Sequence, residues 1–362
     1  MMTRAMNRPA RPHFQFKDNN MVTLRARSVA SPLRGLVIAS LFVTVAPARG
    51  QCDEAWLPGE PLMGVNGFVW ESTTWDPDGD GPQAELLVLG GLMSHAGDVP
   101  VRHLAAWDGR SWINLAGGVG CFDGSSTQPP LEDVLALCTY KGDLIAGGEF
   151  ECIGGQQVNG IARFDGQVWQ SLGAGITGGN VSVVDAIEFD NDLIVVGDFT
   201  EIGGVPANRI ARWDGSGWHA FEDNFTGSPY ALCIFDGELI VVGLVFTVGG
   251  KSAGSVIRWD GRQWHAVGAV TGGAAQCLRV FQGDLYAGGS FTMADGLQAR
   301  RIARWNGSAW SALPTSPNSN VYALESFRDQ LIVGGSFTRI GAKSINRIAS
   351  WNGQEWAPLA AR

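Results

Sequence analysis

A pair of aromatic residues enclosing an Asp-Gly or Asn-Gly turn recurs six times, and no other feature of this chain restricts its fold as strongly. The copies are HLAAWDGRSW (103–112), GIARFDGQVW (160–169), RIARWDGSGW (209–218), VIRWDGRQW (256–264), RIARWNGSAW (301–310) and RIASWNGQEW (347–356). Measured between the first aromatics Trp107, Phe164, Trp213, Trp259, Trp305 and Trp351, the intervals are 57, 49, 46, 46 and 46 residues. A second landmark keeps step: LLVLGGLM (86–93), LIAGGEF (144–150), LIVVGDF (193–199), LIVVGLVF (239–246), LYAGGSF (285–291) and LIVGGSF (331–337). A third precedes it, as in VLALCTYKGD (134–143) and VYALESFRDQ (321–330).

Each unit reads as four strands, A to D, which in the last copy are VYALESF, LIVGGSF, NRIASW and EWAPL. Strands A and B are apolar almost throughout, so both faces of such a sheet need cover. A sheet of this kind cannot stand alone in water, and a four-stranded unit repeating every 40–50 residues or so is the mark of a propeller. The expectation is an all-β, six-bladed β-propeller with four antiparallel strands per blade, spanning 51–362, in which ring closure gives the first and last units a neighbour. Fifty glycines in 362 residues, roughly twice the usual ~7%, suit many short strands and tight turns.

In WDGSGW the Asp-Gly is expected to turn strand C into strand D with left-handed backbone angles. A two-residue turn would set Trp213 and Trp218 diagonally and a four-residue turn directly opposite, and either lets the rings pack. Asn306 and Asn352 replace the aspartate in two copies, which fits a turn and not a reacting group. Arg163, Arg212, Arg258 and Arg304 share the slot before the aromatic, and a residue reused in four units reads as a structural bridge.

Residues 1–50 read as a leader with a signal peptide. Met21 is a candidate start, Arg25, Arg27 and Arg34 precede the apolar run LVIASLFVTVA (36–46), and small residues follow. That run is too short to cross a bilayer, which needs about 20 residues. Export to the periplasm, the cell surface or the medium follows as an expectation, with no membrane span once the signal is removed. The net charge is −9 and the basic residues are scattered, so nucleic acid is excluded as a partner. All six cysteines follow the leader, as suits an oxidising compartment.

The signature GGSFT…GG…ANRIARWDGSxW resembles kelch-type β-propellers, and most of all the repeats of secreted bacterial propeller proteins similar to fungal cortical markers of cell polarity. VVGDFTEIGGVPANRIARWDGSGW (195–218) carries it nearly throughout, and the resemblance extends over residues 56–362. It implies the propeller fold but no single activity, because such propellers host enzymes, adhesins and scaffolds. Unit 1 departs with GGLMSHAGD and unit 4 with VGLVF. Trp56 looks like a strand D preceding unit 1, although Trp356 already supplies one for unit 6, so two segments compete for one outer slot.

Two sites stand out. WDPDGDGP (75–82) places Asp76, Asp78 and Asp80 before Gly81 like the start of a calcium loop, yet position twelve is Leu87 instead of glutamate. Calcium and a solvated acidic turn are both open there. Cys121, in the long D–A connection 117–133, and Cys152, in the B–C loop, are the expected disulfide, since both loops leave the same face beside unit 2. Cys138, Cys233 and Cys277 read as small buried hydrophobes. No H-x-x-x-H, C-x-x-C or HExxH spacing supports a transition metal.

Strands are used up in packing, so ligands should meet loops, and the 117–133 insertion is the expected contact region. The function expected is a non-catalytic binding or surface-interaction module for a protein or glycan. A carbohydrate-active enzyme drawing on acids such as Glu132, Asp133 or Asp185 is the second reading. A passive envelope repeat protein is the third. The sialidase-type box S-x-D-x-G-x-T-W is not matched, because Asp and Gly are adjacent here, and no G-x-S-x-G elbow occurs.

Overall fold

The computed structural model describes residues 64–79, 81–121, 132–221 and 226–359. The leader 1–50, Trp56 and Asp80 lie outside the described residues. Every regular element is a β-strand, and no helix occurs among the described residues.

Six antiparallel meanders follow one another, each with strands in the order A-B-C-D. Sheet 1 comprises Phe68–Trp75, Leu86–Leu92, Leu104–Trp107 and Trp112–Ile113, and sheet 2 Asp133–Tyr140, Asp143–Glu149, Ile161–Phe164 and Trp169–Ser171. Sheet 3 holds Ile176–Phe189, Asp192–Ile202, Ile210–Trp213 and Trp218–Ala220, with the short Val205–Pro206 added at its side. Sheet 4 is built from Pro229–Phe235, Glu238–Val248, Lys251–Trp259 and Trp264–Gly268. Ala275–Phe281, Asp284–Gly289, Ile302–Trp305 and Trp310–Ala312 form sheet 5. Val321–Phe327, Gln330–Gly335, Ile348–Trp351 and Trp356–Pro358 form sheet 6.

Strand A of each sheet packs on strand A of the next, while no comparable contact joins successive D strands. The A strands therefore converge and the D strands splay. Between sheets the core is apolar on both sides: Tyr286 and Ile302 of sheet 5, for instance, meet Leu331, Val333 and Ala349 of sheet 6. The expected ring, however, is not closed. Sheets 1 and 6 form no packed interface among the described residues. Ile348 is 38% exposed, whereas Leu104, Ile161, Ile210 and Ile302 at the same slot are at most 2% exposed. The physical reason lies in connectivity: every other pair of sheets is joined directly through a D–A segment of the chain, and the first and last sheets are not.

The glycine landmark is steric. A Cβ on Gly91, Gly148, Gly197, Gly243, Gly289 or Gly335 would sit 1.9–2.1 Å from a carbonyl oxygen at the start of strand A. Next to this close approach every strand A carries a bulge, which leaves Trp70, Leu135, Val184, Tyr230, Gln276 and Tyr322 out of register.

At the C–D turns the aromatic pair is directly opposite, as in Trp213↔Trp218, so the turn has four residues. The aspartate does not take the left-handed angle expected of it. Only the glycine does, with φ between 92° and 101° from Gly109 to Gly353. The Asp or Asn instead accepts, through Oδ1, the backbone N–H groups two and three residues on, in all six copies. Either residue type supplies that oxygen. The carboxyls of Asp214 and Asp260 are held well below the usual range, the first chiefly by the Ser216 hydroxyl and the second chiefly by the Gln263 N–H.

Strand D requires tryptophan for a second reason. The indole N–H of Trp169 donates to Leu115 O at 3.1 Å, Trp218 to Leu172 O at 2.8 Å, Trp310 to Val267 O at 3.3 Å and Trp356 to Thr315 O at 3.0 Å. Each acceptor lies where the preceding sheet ends, so each indole bolts two sheets together. The strand C slot has no such duty and accepts Phe164.

Candidate functional site

On one face, the segment that leads into each sheet runs back along that sheet's B–C loop. Paired residues there are Val65↔Ala96, Val119↔Ile153, Ile176↔Ile202, Thr226↔Thr247, Val270↔Ala294 and Pro317↔Ile340. Backbone pairing thus holds this loop face, and six sheets present one repeated frame on which side chains differ.

The frame is reinforced most between sheets 1 and 2. Val119 N donates to Arg102 O at 3.0 Å, Gly120 N to Cys152 O at 2.9 Å and Gly154 N to Gly118 O at 2.8 Å. The structure joins Cys121 and Cys152 through their sulfurs, with Cα atoms 5.1 Å apart, linking the D–A segment to the B–C hairpin. Cys138, Cys233 and Cys277 form no disulfide. Residues 122–131 of the expected contact loop lie outside the described residues.

Acidic side chains gather at this corner. Glu132 is buried at 7% exposure, and burial pushes its carboxyl up from the ordinary 4.5; the Arg102 guanidinium counters this and the Glu151 carboxylate adds to it. A Cβ on Gly120 would lie 3.1 Å from both Arg102 Nη1 and Glu132 Oε2, so glycine leaves these two groups their space. Asp133 is the register partner of Glu149 across strands A and B, which sets two acids opposite each other. Ser182 of the next sheet donates its hydroxyl to Glu149 Oε1 at 3.4 Å. In sheet 3 the slot after the glycine holds Asp198, which accepts from Asn180 at 2.6 Å and pairs with Arg209 at 3.2 Å. The same slot holds Leu244, Ser290 and Ser336 in sheets 4 to 6. This slot is therefore acidic in sheets 2 and 3 and uncharged in sheets 4 to 6.

The remaining candidates separate by location. Asp76 Oδ1 accepts from Asp78 N at 3.2 Å and Asp78 Oδ2 from Gln83 N at 3.2 Å, so both carboxylates close their own loop. No group of three or more His, Cys, Asp or Glu side chains is placed to hold a metal among the described residues. Asp185 is buried and bolts sheets 3 and 4, accepting Leu232 N at 2.6 Å, away from solvent chemistry. The repeated arginines bridge to strand B: Arg163 to Asp143 at 3.4 Å, Arg212 to Asp192 at 2.7 Å, Arg258 to Glu238, and Arg304 to Asp284 at 3.4 Å.

Arg102, Glu149 and Glu151 were not singled out from sequence. The signal for Glu149 was nonetheless visible in the aligned repeats, where GGEF stands in place of GGSF.

Among known proteins, the family model described as a domain of unknown function (DUF5122) beta-propeller matches residues 190–217, which run from the A–B turn to the C–D turn of sheet 3. No curated protein sequence matches the chain. Similar solved structures include "YCF48 bound to D1 peptide", at 15% identity, covering 83% of this chain and 84% of that one, with a TM-score of 0.45. "Structure of YjhT" is similar at 12% identity, 83% and 99% coverage and a TM-score of 0.42. The BBS1N–ARL6DN complex is similar at 12% identity, 82% coverage of each chain and a TM-score of 0.43. The chain is an all-β repeat protein of the β-propeller type.

Proposed function

We propose that the chain is an exported, kelch-like propeller of six four-stranded blades that acts as a non-catalytic binding module. Its partner presents cationic groups to the acidic sector of sheets 2 and 3. One observation carries this reading: Glu132, Asp133, Glu149 and Glu151 cluster on a corner held rigid by backbone pairing and by the Cys121–Cys152 link. Preorganised like charges cost folding stability, and a partner of opposite charge relieves that cost on docking. The link suits the oxidising compartment implied by the signal peptide in 1–50. Calcium at Asp76, Asp78 and Asp80 belongs to the proposal as a loop clamp, on sequence grounds.

The test is fluorescence anisotropy of labelled deca-lysine and deca-glutamate peptides. Saturable binding of deca-lysine that weakens with salt, and at least fivefold in the double variant Glu149→Gln/Glu151→Gln, supports the reading. Equal or absent response to both peptides refutes it.

The second reading, a carbohydrate-active enzyme, draws on one observation. A carboxyl whose pKa is raised by burial beside another acid, as that of Glu132 is beside Glu151, is the kind of group a glycosidase uses as general acid. Turnover of a glycan that is lost in Glu132→Gln would favour it.

A further inference from the structure

The loop face carries its charges in two halves. On sheets 2 and 3 the acids prevail: Glu132, Asp133, Glu149 and Glu151 are followed by Asp198 and Glu201, with Arg102 of sheet 1 and Arg209 beside them. On sheets 5 and 6 the sign reverses. Arg300 and Arg301 end the B–C loop of sheet 5, Arg339 and Lys343 lie on the B–C hairpin of sheet 6, and Arg347 leads into its strand C. Arg300, Arg339, Lys343 and Arg347 are exposed, and Asp295 is the one acid of this half among the described residues. Two of the cations already serve the fold, since Lys343 Nζ donates to Trp356 O at 2.6 Å and Arg301 donates to Ser290 O. Sheet 4 separates the halves. After Gly243 it places Leu244 and Val245, 47% and 63% exposed, where sheet 3 has Asp198 alone. Arg209 joins acid to apolar ground: it pairs with Asp198 and donates to Gly227 O at 3.0 Å, and Leu244 N donates to the next carbonyl, Ser228 O, at 3.0 Å.

We propose that the loop face docks on the loop face of a second copy of this chain, as a twofold dimer. The sheets follow one another in order, strand A on strand A, so sheet 4 stands midway between sheets 3 and 5 and between sheets 2 and 6. A twofold axis through sheet 4, lying in the plane of the face, lays sheet 4 on its own copy, sheet 3 on sheet 5, and sheet 2 on sheet 6. Each contact away from the axis then forms twice, as an isologous interface requires. Glu149 and Glu151 of one copy meet Arg339 and Arg347 of the other, and Leu244 and Val245 meet themselves at the centre. An apolar centre within a charged rim is the ordinary build of a protein interface, and the paired opposite charges set its register. This order of sheets holds whether or not the ring is closed. A purely cationic partner would match sheets 2 and 3 and set like charge against sheets 5 and 6, whereas a second copy matches both halves at once. The inference rests on the acidic sector being a docking surface and adds the identity of what docks there.

Exchange of charge between the halves provides the test, by sedimentation velocity of the full chain. One variant is Glu149→Lys/Glu151→Lys and the other Arg339→Glu/Arg347→Glu. The parent is expected to sediment as a dimer at low ionic strength and as a monomer at about 0.5 M salt. Each variant alone sets like charges together and should associate at least about tenfold more weakly. An equimolar mixture of the two should regain the dimer, because every contact between the unlike variants again pairs opposite signs. That recovery also shows that both variants are folded. Val245→Asp, which sets two carboxylates at the axis, should weaken the parent dimer by a similar factor. A parent that stays monomeric at about 0.1 mM and low salt overturns the proposal. So does a dimer that survives in both variants, or a mixture that stays monomeric. A monomeric parent that still binds deca-lysine overturns the dimer alone, and one that fails both tests loses the acidic docking site as well.

Discussion

The indole N–H of Trp218 lies 2.8 Å from the carbonyl oxygen of Leu172, a residue of the preceding sheet 46 positions earlier. This contact, repeated by Trp169, Trp310 and Trp356, shows what each meander lacks by itself: a partner for its outermost ring. Trp218→Phe removes the donor, keeps most of the apolar area and leaves the Leu172 carbonyl with the Gly175 N–H alone, at 3.3 Å. It should lower stability by about 1–3 kcal/mol. Trp213→Phe should cost less, because the same slot already accepts Phe164. Urea unfolding of both variants checks the order.

Gly197 offers a sharper contrast. A Cβ there would meet Ser182 O at 1.9 Å, so Gly197→Ala must displace backbone at the bulge and should destabilise by at least about 2 kcal/mol. Gly204 has φ +80° and open space around its Cβ position. Gly204→Ala carries only the backbone strain, about 1 kcal/mol. Thermal melts of the pair separate crowding from strain.

Glu132 governs part of the pH response. Burial raises its folded pKa above the ordinary 4.5, so the protonated form favours folding. That contribution is fully present below pH 4.5 and is lost as pH rises through the folded pKa. Glu132→Gln mimics the protonated group and should be more stable than the parent at pH 7, and equal to it near pH 4. Denaturant midpoints at the two pH values test the sign.

Calcium at the Asp76–Asp80 loop gives a direct prediction. Millimolar calcium should raise the melting temperature, and Asp78→Ala should cancel the rise. Superimposable melts in calcium and in chelator would reduce the loop to the turn that Asp76 Oδ1 and Asp78 Oδ2 already close.

The fold was legible because its signals are local and repeated. The glycine pair, the Asp-Gly turn and the paired aromatics each occupy a fixed slot, and the strand limits followed from them. Sequence could not show that the turn aspartate acts through Oδ1 and not through its backbone angle, since both uses select Asp and Asn. It could not place Glu149 opposite Asp133, because register depends on a bulge at Leu135 that has no composition of its own.

The central proposal is that the first and last sheets, which form no packed interface among the described residues, meet to close a ring, and Trp112 shows what closure would add. Its counterparts in sheets 2, 3, 5 and 6 donate to the end of the preceding sheet, and for sheet 1 that neighbour would be the stretch near Leu359. The most direct measurement is a pulsed electron–electron distance between spin labels at Arg110 and Gln354, the C–D turns of sheets 1 and 6, coupled by cysteine-independent chemistry. Labels at Ser308 and Gln354, on adjacent sheets, supply the reference. A closed ring predicts one narrow distance equal to the reference. A longer or broad Arg110–Gln354 distance would mean an open row of sheets and would contradict the account.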